Sequence, residues 1–150
     1  MRNKRVAAAL WLVLHLGVGV SFRPLAAPAQ TRRLNSQVQV GRQFLRQLLR
    51  GDYGEAYAQL APEVRRAVRP AQFRGLARPL AVRGQRRGSS IELYKLGVRL
   101  DEAGGGGQPF VAFAWPADSA SARHTPPEWL EVTFRDTAAR QVLGFRLRHR

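Results

Sequence analysis

The chain contains no cysteine. That excludes a disulfide framework and a lipid-modified cysteine, and it leaves stability to packing alone. Acids are also scarce, with ten Asp and Glu against 25 Lys and Arg. Past residue 29 a single lysine, Lys95, stands beside 20 arginines spread along the chain. This reads as a codon bias toward arginine more than as a nucleic-acid signal. Histidine is nearly missing too. His124 and His149 have no second ligand at metal spacing and no carboxylate placed to tune either as a base. The serines at 89, 90, 119 and 121 lack a nucleophile-elbow pattern. The glycine run in Asp101–Gln108 (DEAGGGGQ) has no lysine or helix start after it, which excludes a phosphate-binding loop. The expectation is no catalytic residue, no metal site and no cofactor. There is no internal repeat.

What is present begins with a three-part N-terminal pattern. Arg2, Lys4 and Arg5 precede the apolar run Val6–Val20, and Ala27-Pro28-Ala29 supplies small residues before Gln30. This pattern predicts a secretory signal peptide over residues 1–29, cleaved near Ala29, and a secreted or periplasmic bacterial protein. The run is 15 residues, short of the roughly 20 that span a bilayer. Removing it leaves 121 of the 150 residues, with 21 basic and ten acidic, net +11. A chain of that size makes one domain and buries roughly two-thirds of its unfolded surface.

Residues 30–36 read as a polar, flexible leader, with Asn35 or Ser36 able to cap a helix. Val40, Phe44 and Leu48 follow at i, i+4, i+8, widened by Leu45 and Leu49, with Arg42, Arg46 and Arg50 on the other side. This spacing predicts an amphipathic helix that ends at Gly51. Asp52 and Glu55 have capping-box spacing for a second helix, whose Tyr53, Ala56, Tyr57 and Leu60 share one face. Pro62 and Pro70 open two more helices. Pro79 is expected to end or kink the last, and Arg83–Ser90 (RGQRRGSS) to be a loop. Beyond Ser90 the period becomes two. Strands are expected at Ile91–Leu100, Phe110–Trp115, Trp129–Arg135 and Gln141–Arg148, with a β-bulge where the phase slips between Leu93 and Tyr94. Pro116–Pro127 reads as a mobile loop. Glu92 and Glu131 take the outward phase of their strands, so no acid has an inward address.

Helices first and antiparallel strands last give an α+β fold, residues 37–150. Gly51-Asp52-Tyr53 with Ala56-Tyr57, then Pro70-x-x-Phe73, then Val132-x-Phe134-x-Asp136 and Val142-Leu143-Gly144-Phe145, resemble the nuclear transport factor 2-like superfamily. The likeness runs over about residues 36–148 and is nearest to small exported bacterial domains of unknown function. It implies a cone, with N-terminal helices packed in the concave face of a curved four-stranded antiparallel sheet. The superfamily includes isomerases, dehydratases, cyclases, ligand carriers and dimeric protein-binding modules. This chain lacks the strand pair that larger members carry between the helices, which implies a shallower pocket.

Tyr53, Tyr57, Phe73, Tyr94, Trp115 and Trp129 are the candidate ligand-binding residues. Tyrosine and tryptophan pair an apolar body with one polar group, which suits an orienting pocket, although core filling uses the same residues. Trp115 and Trp129 flank the 116–127 segment, which suggests a lid. Arg65, Arg66, Arg69, Arg74, Arg78, Arg83, Arg86 and Arg87 form the densest basic stretch, and Arg83, Arg86 and Arg87 are its candidate anion-binding residues. The leading expectation is an exported, non-enzymatic domain that binds a small apolar ligand or a protein partner, with a homodimer through the sheet as one form. The alternatives are a small isomerase- or dehydratase-type pocket enzyme and an envelope polyanion binder using the arginine stretch. Nucleic acid is not an expected partner, and the membrane is met only in transit.

Overall fold

In the computed structural model the described residues are 28–100, 107–119 and 126–150. The apolar run Val6–Val20, the glycines 104–106 and His124 lie outside them. The order is α1 (Pro28–Arg50), α2 (Tyr53–Ala58), α3 (Pro62–Ala67), α4 (Pro70–Arg87), β1 (Glu92–Leu100), β2 (Gly107–Ala114), α5 (Pro116–Ser119), β3 (Glu128–Thr133) and β4 (Gly144–His149). The strands form one antiparallel sheet in the order β1-β2-β3-β4. This is the α+β class expected. Among the described residues no helix is long and apolar enough to cross a membrane.

One core joins the two layers. Phe44, Leu45, Leu48 and Leu49 of α1 cluster with Phe73, Ala77 and Leu80 of α4 and with Val111, Phe113, Leu130 and Val132 of the sheet. Each of these is at most 5 % exposed. The stripe read from the sequence is therefore the buried face of α1. The corner after it is also as expected, with Gly51 at φ 83 and its N–H donating to the Leu48 carbonyl at 3.1 Å. The bulge falls where the phase slips. Leu93 pairs with Phe113 and Lys95 with Ala112, so Tyr94 is the extra residue.

Five local expectations are corrected. Where a polar leader and a helix cap are expected, α1 already starts at Pro28 and runs through Asn35 and Ser36, so the start of the helix is not at these two residues. No glycine or further proline interrupts residues 29–40, and Gln37 pins the segment from one side. Gln37 is 1 % exposed and donates through Nε2 to the carbonyls of Asp136 (2.7 Å) and Ala139 (3.2 Å). Asp52 makes no side-chain cap, because its φ −79, ψ 61 is not the extended geometry a cap needs. Pro79 neither ends nor kinks α4 into two helices. It and Gly75 are exposed, so water can take the Gly75 carbonyl that the ring leaves without a donor. The helix then continues through Arg83–Arg87, where the sequence predicts a loop, and ends at Gly88 with φ 82. Part of the 116–127 segment is also regular, as α5.

Candidate functional site

The six candidate aromatics do not converge. Tyr57 and Phe73 meet edge to face, ring centroids 5.5 Å apart. Tyr53 packs against the same core from its edge. Trp115 is elsewhere, 1 % exposed at the end of β2, with its Nε1 donating to the Gly88 carbonyl at 3.1 Å and Arg87 stacked 4.2 Å from its ring. Trp129 and Tyr94 form a third group, 5.9 Å apart, with the Lys95 ammonium 4.6 Å from the indole. Trp129 follows the phase opposite to Leu130, so this group lies on the far side of the sheet from the helices. Tyr53, Tyr94, Trp115 and Trp129 line neither of the two concavities described below. Residues 120–125 of the expected lid lie outside the described residues.

The arginine candidates are partly spent. Arg83 pairs with Glu128 at 3.3 Å, and Arg87 pairs with Asp118 at 2.6 Å and with Glu128 at 3.1 Å. Burial raises the Glu128 pKa, but the Arg83 hydrogen bond and the charges of Arg83, His149 and Arg87 more than offset this and hold it below the ordinary range. These contacts tie the end of α4 to α5 and β3. Arg86 is exposed.

Glu131 has the outward phase that its strand pattern predicts, opposite to Leu130 and Val132. Its burial is not in that pattern. It is 3 % exposed because Arg99 of β1 and Arg146 of β4 arch over it, donating to Oε1 at 2.7 Å and at 2.8 and 2.5 Å. Burial pushes its pKa up, while the two arginines push it down further, so the carboxyl stays ionised at neutral pH. An acid so committed to two cations is a poor proton acceptor. Among the described residues no three His, Asp or Glu side chains are grouped to hold a metal.

The site with a distinct character lies between α3, α4 and β4, a groove of about 360 Å³. Leu60, Val64 and Val68 form one wall, Phe73, Leu76, Pro79 and Leu80 another, and Leu143 to Leu147 the third. The α4 residues share a face because they follow at i, i+3, i+6 and i+7. Phe73 and Phe145 meet edge to face at 5.8 Å, and Phe44 beneath them packs on both. Tyr57 contributes from behind: its hydroxyl lies 2.9 Å from the Val68 carbonyl and 3.0 Å from that of Arg65, fixing the end of α3. Arg146 is the one charged residue in the lining. Its guanidinium is held by Glu131, which leaves its methylenes to the groove. Leu76 stands at the rim, 65 % exposed.

A second concavity, about 550 Å³, lies beside it, lined by Pro62, Glu63, Arg66, Arg135, Asp136 and Arg140 among others. Its charges are largely internal. Glu63 pairs with Arg135, and Asp136 Oδ1 accepts from the Ala138 and Ala139 N–H groups at 2.7 and 2.8 Å. A parallel bridge between Leu60 and Val142 divides the two hollows. Only Phe73 of the six aromatic candidates lines the groove. Apart from Phe145 and Arg146, the rest of the lining is Gly144, Pro79 and aliphatic residues in or beside α3, α4 and β4, which the sequence presents as ordinary core or turn positions.

Comparison with protein-family models, with curated proteins and with solved structures finds no match.

Proposed function

We propose that the chain is an exported, non-enzymatic binding domain that holds an apolar group in the groove between α4 and β4. One observation carries this reading. The lining holds no Asp, Glu, His, Ser, Thr or Tyr, so it offers apolar contact and nothing that moves a proton or attacks a bond. Small-molecule sites combine such walls with a few polar groups for orientation, and here the backbone is what is available for that, since the Arg146 guanidinium is held by Glu131. Export rests on the basic start, the Val6–Val20 run and the Ala27-Pro28-Ala29 site. The proposed architecture is the nuclear transport factor 2-like cone, the helices in the concave face of the sheet. The β1 bulge supports it, since bulges bend and twist strands. So does the single core shared by α1, α4 and β2–β4.

The uncharged dye N-phenylnaphthylamine, which brightens in apolar surroundings, tests the reading. It is expected to bind the native protein, and Leu76→Asp is expected to weaken binding by about tenfold or more, the cost of placing a charge at an apolar rim. Because Leu76 is 65 % exposed, the thermal midpoint should hardly move. Equal dye binding by the variant would remove the groove from consideration.

A further inference from the structure

The groove touches five consecutive residues, Leu143 to Leu147. Successive side chains of a strand point to opposite faces of its sheet. A cavity resting on a face therefore meets one phase only. This one meets Phe145 and Leu147 on one phase and Gly144 and Arg146 on the other, so it opens on the edge of β4. The topology agrees, because among the described residues β4 has β3 as its sole strand neighbour. Gly144 through Arg148 are all half-buried with no alternation, as an edge beside a hollow should be. Across the hollow stands the apolar face of α4, with Phe73, Leu76 and Leu80.

A strand edge that faces an apolar helix across a groove suits one kind of occupant. An extended chain can pair its backbone with the edge and set every second side chain between strand and helix. The other side chains then fall on the opposite face of the sheet, beside Arg146 and Arg148. Those two arginines are matched there by one carboxylate, that of Glu131, and Arg150 follows beyond the strand. Opposite charges on adjacent strands attract and like charges repel. We propose that the occupant is an extended segment of a partner protein, alternating apolar with acidic residues, which adds a fifth strand along β4. This rests on the groove reading above and names its partner class.

Fluorescence anisotropy with a labelled peptide alternating valine and glutamate tests it on the full mature protein. The peptide is expected to bind and to displace N-phenylnaphthylamine. Methylating its backbone nitrogens on one alternate phase should weaken binding by about tenfold, because hydrogen bonds to the β4 edge are lost. Methylation on the other phase should change binding by less than about twofold. Exchanging glutamate for lysine should also weaken it by about tenfold at low salt. Equal binding by both methylated forms, or failure of the peptide while the dye still binds, overturns strand addition and leaves the groove as a small-molecule site. If neither dye nor peptide binds, the groove reading falls as well.

Discussion

Gly84→Ala is expected to destabilise the domain by about 3 kcal/mol, although the same change in a free helix would stabilise it. Alanine is favoured over glycine in a helix interior by about 1 kcal/mol. At position 84 the surroundings reverse the sign. A Cβ there would fall inside hard contact with the carbonyl oxygen, carbonyl carbon and Cα of Leu49, all backbone atoms of α1. No side chain can rotate away to relieve that. One helix has to move off the other, and Phe73, Ala77, Leu80 and Ala81 of α4 lose their fit with it. Overpacking of this kind costs up to about 3 kcal/mol, and here it also cancels the propensity gain. Gly75 in the same helix is the control. It is exposed and a Cβ would meet nothing within 4 Å, so Gly75→Ala should stabilise by roughly 0.5–1 kcal/mol. Thermal unfolding of both variants should show opposite shifts, a fall of about 12 °C for position 84 and a small rise for position 75. A Gly84→Ala protein as stable as the parent would mean that α1 and α4 do not cross at backbone distance.

The contrast between these two glycines shows what the sequence carries and what it does not. Periodicity reports which side of an element is apolar. It placed Phe44, Leu45, Leu48 and Leu49 in the core and found four strands, the Gly51 corner and the slip at Tyr94. It does not report what lies across from a given side. In RGQRRGSS, Gly84 therefore reads as a loop glycine, although the approach of the Leu49 backbone is what requires it. Glu131 had its phase read correctly and its burial missed, because Arg99 and Arg146 come from strands 32 and 15 residues away. Residue type is a weaker guide still. Tyr57, Tyr94 and Trp115 share chemistry, yet one braces α3, one lies on the far side of the sheet and one fills the space beside Gly88. The groove between α4 and β4 was hidden for the same reason: Leu60, Leu80 and Leu147 look alike whether they face a neighbour or a hollow. Gln37 left a signal that was available. It precedes Gly41, Phe44 and Leu48 at i, i+4, i+7 and i+11, on the buried stripe.

Glu131→Gln is expected to cost about 2 kcal/mol at neutral pH, with a gap from the parent that closes in acid. The Oε1 atom of Glu131 accepts three charged hydrogen bonds, from Arg99 of β1, two strands away, and from Arg146 of the adjacent β4. Hydrogen bonds to charged groups contribute about 1.5–3 kcal/mol, and stripping the charge from a buried partner costs more. The arginine side chains are 36 % and 39 % exposed, so they can turn to water and recover part of the loss. The pH dependence follows from the direction of the pKa. Burial raises it and the Arg99 and Arg146 bonds lower it further, so the folded value lies below the ordinary 4.5 of the unfolded chain. A lowered carboxyl pKa stabilises the fold fully above the unfolded value, and that stabilisation is lost as pH falls through the folded value. Protonated glutamate and glutamine have nearly the same shape and no charge. Below the folded pKa the parent should therefore lose what the variant lacks, and their urea midpoints should converge. Glu63 and Glu128, also held below the ordinary range, titrate in both proteins and cancel in the difference. A gap that stays constant from neutral to strongly acidic pH would show that the stability at this position does not come from the carboxylate charge.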